Sequence, residues 1–389
     1  MPVRYILLAF FLCSAWSANA IELPPVFGNS MVLQRGQPVP VWGKAAAGAE
    51  ICVSFAKQEK HATADSSGHW QVMLDSLEAS AGGAMLTIRE DSKSKISELK
   101  FSDVVVGEVW LCSGQSNMRF MLKQATGGAE EVRNSSAFNL RLLNFTGALK
   151  DGVTATNYFS TPGWQVCGPK TAADFSAVAY FFGKKLHREL GVPVGLIWNA
   201  VGGAPIEAFL PEQLFSNDAE LRERTANWLG NQKYPHWCRE RAKQESAKLR
   251  GASFHPFAPS ALHEAGFAPV EPFAIRGVLW YQGESNATDT PESPALDPAP
   301  YEKMFRLLVT DWRKTWNNPS MPVYFVQLPS LNRDWGKFRE VQAKLADEIP
   351  NCGMAVTFDL GEPTNVHPPN KKPVGERLAE LAVRNILEE

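Results

Sequence analysis

Four short segments concentrate the side chains able to carry acyl-transfer chemistry. The first, CSGQSNM at 112–118, places Ser116 after a glycine. A glycine turn at the mouth of a sheet can lift a serine to the start of a helix, where free N–H groups face a developing oxyanion. Taken alone, the segment reads better as an ordinary helix cap, a place serine favours. The second, NAVGGAPIE at 199–207, holds Gly202 and Gly203. Paired glycines let backbone approach a ligand and aim N–H groups at it, and an ordinary tight turn is an equal reading. In the third, WYQGESN at 280–286, six of seven residues are polar or aromatic. Here the Asn286 amide is expected to donate to an oxyanion and Glu284 to orient its neighbours. The fourth, DLGEPTNVHP at 359–368, carries His367, one of seven histidines in the chain. Histidine suits a general base because its unperturbed pKa is about 6.5. A lone histidine is more often structural, but this one follows a core strand, as the other three segments do.

The elements that must position these residues read as strands alternating with helices. Dense Val, Ile, Leu, Phe and Trp runs predict strands at 104–112, 194–200, 275–281, 323–328 and 354–359. Apolar positions at helical spacing predict a helix over 176–190, stopped by Gly191 and Pro193. Further helices are expected near 205–215, 336–348 and 374–387. Such alternation predicts an α/β fold with a parallel sheet covered on both faces. In such a sheet, sites form beyond the carboxyl ends of the strands, where all four segments fall. The region 21–101 has another rhythm. Short β-prone runs at 31–34, 39–43, 50–55, 61–64, 70–74 and 84–89 lie between turn formers, which predicts an antiparallel β-sandwich domain. The catalytic domain is then 102–389. Its stretch 212–272, polar and helix-like through about Lys248 and loop-like after, is expected to be an insertion at the site's rim.

The chain's bulk properties narrow the classes. It has 389 residues, 44% of them hydrophobic and 21% charged, an ordinary globular composition. A net charge of −2 with no basic run gives nucleic-acid binding no support. No internal stretch is long and apolar enough to span a bilayer. Arg4, the apolar run at 5–12 and Ala18-Asn19-Ala20 predict a cleaved secretory signal over 1–20, cut after Ala20. A secreted or periplasmic location follows. Removal of Cys13 leaves Cys52, Cys112, Cys167, Cys238 and Cys352, an odd number, with any pairing among them open. No C-x-x-C or H-E-x-x-H spacing is present, so no metal site is expected. The 12 Trp and 22 Phe hint at sugar platforms, though burial is the commoner use.

Taken together, the segments resemble the SGNH hydrolases, and within them the sialate O-acetylesterase family of carbohydrate esterases. GQSNM at 114–118, GGAPIEAF at 202–209, RGVLWYQGESNA at 276–287 and VHPPNK at 366–371 carry the likeness. VLQRGQPVPVWGKA at 32–45, GEVWLCSGQSNM at 107–118, APSAL at 258–262 and PVYFVQL at 322–328 extend it over nearly all of the mature chain. The resemblance implies a three-layer, flavodoxin-like parallel sheet behind an N-terminal sandwich. It implies Ser116 as nucleophile and His367 as base. The oxyanion hole would use the Ser116 N–H, Gly202, Gly203 and Asn286, with Gln115 and Glu284 at the substrate. No cofactor is implied. Many SGNH enzymes have Asp three residues before the catalytic histidine, and here Thr364 stands there. Asp359 or Glu362 could orient His367 instead. The favoured alternative is a Ser–His dyad with a backbone carbonyl near 364–365 accepting the ring N–H.

The expected activity is removal of O-acetyl groups from acetylated sugars, sialic acids foremost, by a serine carboxylic ester hydrolase. The rival within this chemistry is an acetylesterase of xylan or xyloglucan. A non-catalytic carbohydrate-binding protein and a lipid esterase are the rivals outside it. An O-acetylated glycan or sialic acid is the expected partner, with no nucleic acid and no membrane.

Overall fold

Alternating burial organises the first strands. In β3 (Glu50–Phe55), Ile51, Val53 and Phe55 are buried while Cys52 and Ser54 face outward. In β5 (His69–Leu74), Trp70, Val72 and Leu74 are the buried set. This period of two is that of strands with one covered face. The computed structural model describes residues 21–92, 95–288 and 297–388. The expected signal segment, its cut site and Cys13 lie outside these residues. With β1 (Val32–Gln34), β2 (Val39–Lys44), β4 (Gln58–Thr63) and β6 (Ser80–Ser92), these strands make the N-terminal part. β2 and β5 pair antiparallel as a two-stranded sheet, and β3 pairs antiparallel with β4 and β6.

β7 (Lys95–Gly114) then carries the chain into the central sheet. Its first half pairs antiparallel with β6 and parallel with β1. Its second half is flanked on both sides by parallel strands and is buried throughout. The expected boundary at 101/102 therefore falls inside one continuous strand. β8 (Leu140–Asn144) follows, then the short β9 (Thr146–Gly147), β10 (Phe159–Ser160) and β11 (Trp164–Val166). The remaining strands are β12 (Val194–Trp198), β13 (Gly277–Tyr281), β14 (Val323–Val326) and β15 (Cys352–Ala355). The order is β11-β8-β12-β7-β13-β14-β15, parallel from β8 to β15 with β11 antiparallel at the edge. From β7 the chain goes first to β8 and then returns to β12, which lies between the two, before continuing on the other side through β13 to β15. The strand order thus reverses around β7, where an open α/β sheet leaves a crevice for a ligand.

The two faces of the sheet feed two cores. Val109 and Leu111 pack with Val278 and Phe325 in a cluster that also holds the N-terminal strands' Ile51, Val53 and Val72. Trp110 and Cys112 point the other way, with Leu196 and Tyr324, toward helices Ala177–Leu190 and Lys372–Glu388. The first of these helices starts as its sequence predicts. Ser176 is its cap, its hydroxyl accepting from Ala179 N at 3.1 Å, and Gly191 ends it at φ +69°. Near 205–215 only the short turns Ile206–Ala208 and Glu212–Ser216 form in place of one helix, because Pro211 interrupts it. All five described cysteines are unpaired. No helix among the described residues is long and apolar enough to cross a membrane.

One buried carboxylate ties the N-terminal strands to the central sheet. Glu108 on β7 accepts from Arg35 Nε at 2.6 Å, Arg276 Nε at 3.0 Å and Gln34 Nε2 at 3.2 Å. Deleting one partner of a buried charge cluster leaves the others uncompensated, at a cost of about 3–5 kcal/mol. Glu108→Ala is therefore expected to lower the urea midpoint markedly. An unmoved midpoint would show that this carboxylate does not hold the two parts together.

Candidate active site

The carboxyl end of β7 explains how Ser116 comes to the crevice. Gly114 sits at φ +129°, and a Cβ there would collide with the Tyr281 carbonyl of the neighbouring β13. Only glycine lets the two strand ends approach so closely. The chain then turns outward into the short helix Ser116–Arg119. From the far end of the sequence, the loop after β15 delivers His367. A 2.7 Å hydrogen bond joins Ser116 Oγ and His367 Nε2. With Nε2 unprotonated, the serine hydroxyl donates, which is the geometry of a nucleophile and its base.

The imidazole is held mainly through its own loop. The His367 N–H donates to Asn365 Oδ1 at 3.0 Å, and Asn365 Nδ2 donates to Glu362 Oε2 at 2.9 Å. Glu362 thus fastens the loop rather than the ring. Asp359, the other expected orienting acid, is exposed and paired with both Nη atoms of Arg377 at 2.6–2.7 Å. That guanidinium also lowers the Asp359 pKa and commits the carboxylate elsewhere. Among the described residues, no carboxylate or carbonyl bonds His367 Nδ1, so the expected contact from a carbonyl near 364–365 is not formed either. Burial, and then the nearby Lys371 charge, lower the His367 pKa below the ordinary histidine value. Both effects favour the neutral ring that a base needs.

Gly202 lies beside Ser116, since a Cβ on it would stand 3.7 Å from Ser116 Cβ. Gly203, at φ +80°, lies against the Trp237 ring where its own side chain would otherwise be. Among the described residues, the amides of Ser116, Gly202 and Gly203 find no hydrogen-bond acceptor. They are free to face an oxyanion. Asn286, expected to share that task, does not. Its Nδ2 donates to Glu207 Oε2 at 2.9 Å, and its Oδ1 accepts from Ile206 N at 3.0 Å and Gln282 Nε2 at 2.7 Å. These bonds hold the buried amide behind the cleft, and Asn286 is not among the residues that line it. Gln115 lines the cleft, but its Oε1 accepts from Gln282 Nε2, Gly283 N and Ser285 N at 3.1–3.3 Å, joining the first and third loops.

Beneath the serine and histidine lies a buried polar strut. Asn117 is fully buried; its Nδ2 donates to Glu284 Oε1 and to Val366 O at 3.0 Å. Its Oδ1 accepts from Lys371 Nζ at 2.5 Å. Lys371 also lies over the rings of Phe120 and Tyr281, at 5.1 and 5.3 Å. Burial drives its pKa down to about 7, against the pull of Glu284 and Glu362. Burial raises the Glu284 pKa, opposed by its bond from Asn117. The neighbour that Glu284 hydrogen-bonds is Asn117. Neither Asn117 nor Lys371 carries a role in the sequence reading, although both lie inside its motifs GQSNM and VHPPNK.

These loops enclose a cleft of about 310 Å³ lined by Ser116, His367, Gly202, Gly203, Gln115 and Glu284. The stretch 212–272 contributes Trp237 and Arg241 to its wall, and Arg119 and Arg333 add two more cations. Outside the cleft, Cys52, Glu59 and His61 group on the outward face of β3 and β4, with donor atoms within 4.8 Å of one another. They are the one group of potential metal ligands among the described residues.

A family model described as carbohydrate esterase, sialic acid-specific acetylesterase, matches residues 259–384. The sialate O-acetylesterases of Homo sapiens and Pongo abelii are each 29% identical over 387 residues, spanning 90% of this chain and 68% of theirs. The crystal structure of a carbohydrate acetylesterase from Xanthomonas citri superposes with a TM-score of 0.74 at 32% identity, covering 95% of this chain and 76% of that one. With sequence and fold shared over most of both chains, this protein belongs to the sialate O-acetylesterase family of carbohydrate esterases.

Proposed function

We propose that the chain removes O-acetyl groups from acetylated sugars, sialic acids foremost, with Ser116 as nucleophile and His367 as general base. The observation that carries the reading is the 2.7 Å contact between Ser116 Oγ and His367 Nε2 at the switch point of the sheet. Ser116 Oγ attacks the acetyl carbonyl carbon while its proton passes to His367 Nε2. The tetrahedral oxyanion faces the N–H groups of Ser116, Gly202 and Gly203. Each such donor is worth about 3 kcal/mol in the barrier when removed. Collapse of the adduct breaks the bond to the sugar oxygen, which leaves with the proton from His367. Water, deprotonated by the same imidazole, then hydrolyses the acetyl-enzyme to acetate. The steps draw only on the chain's own groups.

Further features complete the reading. The loop hydrogen bonds from Glu362 through Asn365 to the His367 backbone take over the orienting task of a triad acid, so the serine and histidine act as a dyad. Residues 21–101 form an antiparallel β-sandwich module, and the stretch 212–272 is an insertion that walls the cleft of the catalytic domain. Removal of a leader over 1–20 places the mature chain in the periplasm or outside the cell.

The test is acetate release from O-acetylated sialic acids and from acetyl-xylan across a pH series. Activity is expected to fall as pH drops and His367 takes up a proton. Because the folded-state pKa is lowered, the acid limb should lie below the ordinary histidine value of about 6.5. An enzyme that loses activity well above that value does not use His367 as its base. A chain that binds these sugars without releasing acetate is a lectin-like protein instead.

A further inference from the structure

The cleft carries a charge opposite to that of the chain. The chain's formal net charge is −2, yet the cleft wall holds Arg119, Arg241 and Arg333 against one carboxylate, Glu284. That carboxylate is buried and committed to Asn117. The three guanidiniums are not equivalent. Arg241 is matched by Glu245, with Nε 2.9 Å from Oε1, and lies over the Trp237 ring at 5.3 Å. Arg333 lies over the Trp335 ring at 5.7 Å and has no carboxylate partner among the described residues. Arg119 likewise has none. It stands close to the nucleophile, with Nη1 3.8 Å from the place a Gly202 Cβ would take. Two unmatched cations lining one cleft give it a positive potential that favours an anionic ligand over a neutral one. A guanidinium presents paired N–H donors in a plane that fits a carboxylate, and the ring beneath Arg333 holds that plane in place.

We propose that Arg119 and Arg333 form an anion subsite that reads a carboxylate carried by the acetylated sugar itself. The inference rests on the esterase reading and names the group by which the cleft selects its substrate. An acidic sugar with an O-acetyl ester, such as a sialic acid, presents both groups on one small molecule. Its ester lies at Ser116 while its carboxylate meets the two arginines. A neutral acetylated xylan chain offers these arginines only hydroxyls and leaves their charge unanswered.

The test compares an O-acetylated sialic acid with the methyl ester of its carboxyl group, following acetate release and not methanol. The two differ by one charge and a methyl group. The wild-type protein is expected to favour the free acid by at least roughly ten-fold in kcat/KM, chiefly through KM, as a charge-assisted contact would give. Arg119→Gln and Arg333→Gln should each reduce that ratio several-fold, whereas Arg119→Lys and Arg333→Lys should retain part of it. Rising salt should shrink the wild-type ratio, because screening weakens exposed charge pairs. A merely structural arginine would lower both rates together and leave the ratio alone. A wild-type ratio near one, or a ratio that neither glutamine variant moves, overturns the subsite while acetate release upholds the esterase. Acetate release from acetyl-xylan alone has the same meaning. Release from none of these substrates removes the esterase reading, and the subsite with it.

Discussion

Ser116→Ala is expected to reduce acetate release by roughly ten-thousand-fold or more, and His367→Ala by a similar factor. The Ser116 hydroxyl bonds His367, so its removal deletes the atom proposed to form the acetyl-enzyme and little else. The backbone amides of Ser116, Gly202 and Gly203 stay in place, and a residual rate above that of water should persist. The double variant should be no slower than either single one, because nucleophile and base act as one unit. Thermal melting should stay close to wild type for Ser116→Ala, since the half-buried side chain supports no other element. Steady-state rates with an O-acetylated sialic acid, measured beside melting curves, separate lost chemistry from lost folding. Substantial turnover by the alanine variant would remove Ser116 from the mechanism.

Asn117→Ala should be costly for a different reason. Its amide holds together three loops that are remote in sequence, through Glu284, Val366 and Lys371. Glu284 Oε2 already has no partner, so loss of the Asn117 donor strips the carboxyl of its hydrogen bond in a buried place. Lys371 loses its acceptor at the same moment. Breaking such a buried polar cluster costs about 3–5 kcal/mol, a large share of a domain's stability. Activity should also fall, because Val366 precedes His367 and its carbonyl is anchored on Asn117. The denaturation midpoint and kcat should therefore drop together. A midpoint equal to wild type would mean that Glu284 and Lys371 find other partners, and that the strut is not what holds the histidine loop.

The contrast between these variants marks how far the residues could be read before folding. The serine and histidine were legible because each follows an apolar run, and strand ends are where an open sheet exposes side chains. The helix Ala299–Thr315 went unread although its buried Tyr301, Met304, Phe305, Leu308 and Val309 lie at helical spacing. β8 went unread because the five-residue run LRLLN has neither alternation nor length to separate strand from helix. The orientation of Asn286 has a physical reason. An amide two residues past Glu284 can face either side of its loop. The choice was made by Glu207, a buried carboxylate 79 residues away that accepts from it. Asp359 was likewise claimed by Arg377 on the last helix. The arginines of the cleft wall share no spacing in the sequence, for they come from two helices, Ser116–Arg119 and His236–Ser246, and from the loop that holds Arg333.

By itself, then, the order of residues determined the strand and helix rhythm, the turn glycines and which serine and histidine follow the strand ends. These depend on neighbours a few positions apart, whose backbone preferences and apolar patterns act locally. Tertiary structure alone decided which carboxylate serves which loop, which amides remain free and what charge the cleft presents. Those outcomes depend on distances between groups as far apart as the 251 positions separating Ser116 from His367. Only the packing of the two cores against the sheet brings such groups to a few ångströms, where hydrogen bonds and charges begin to count.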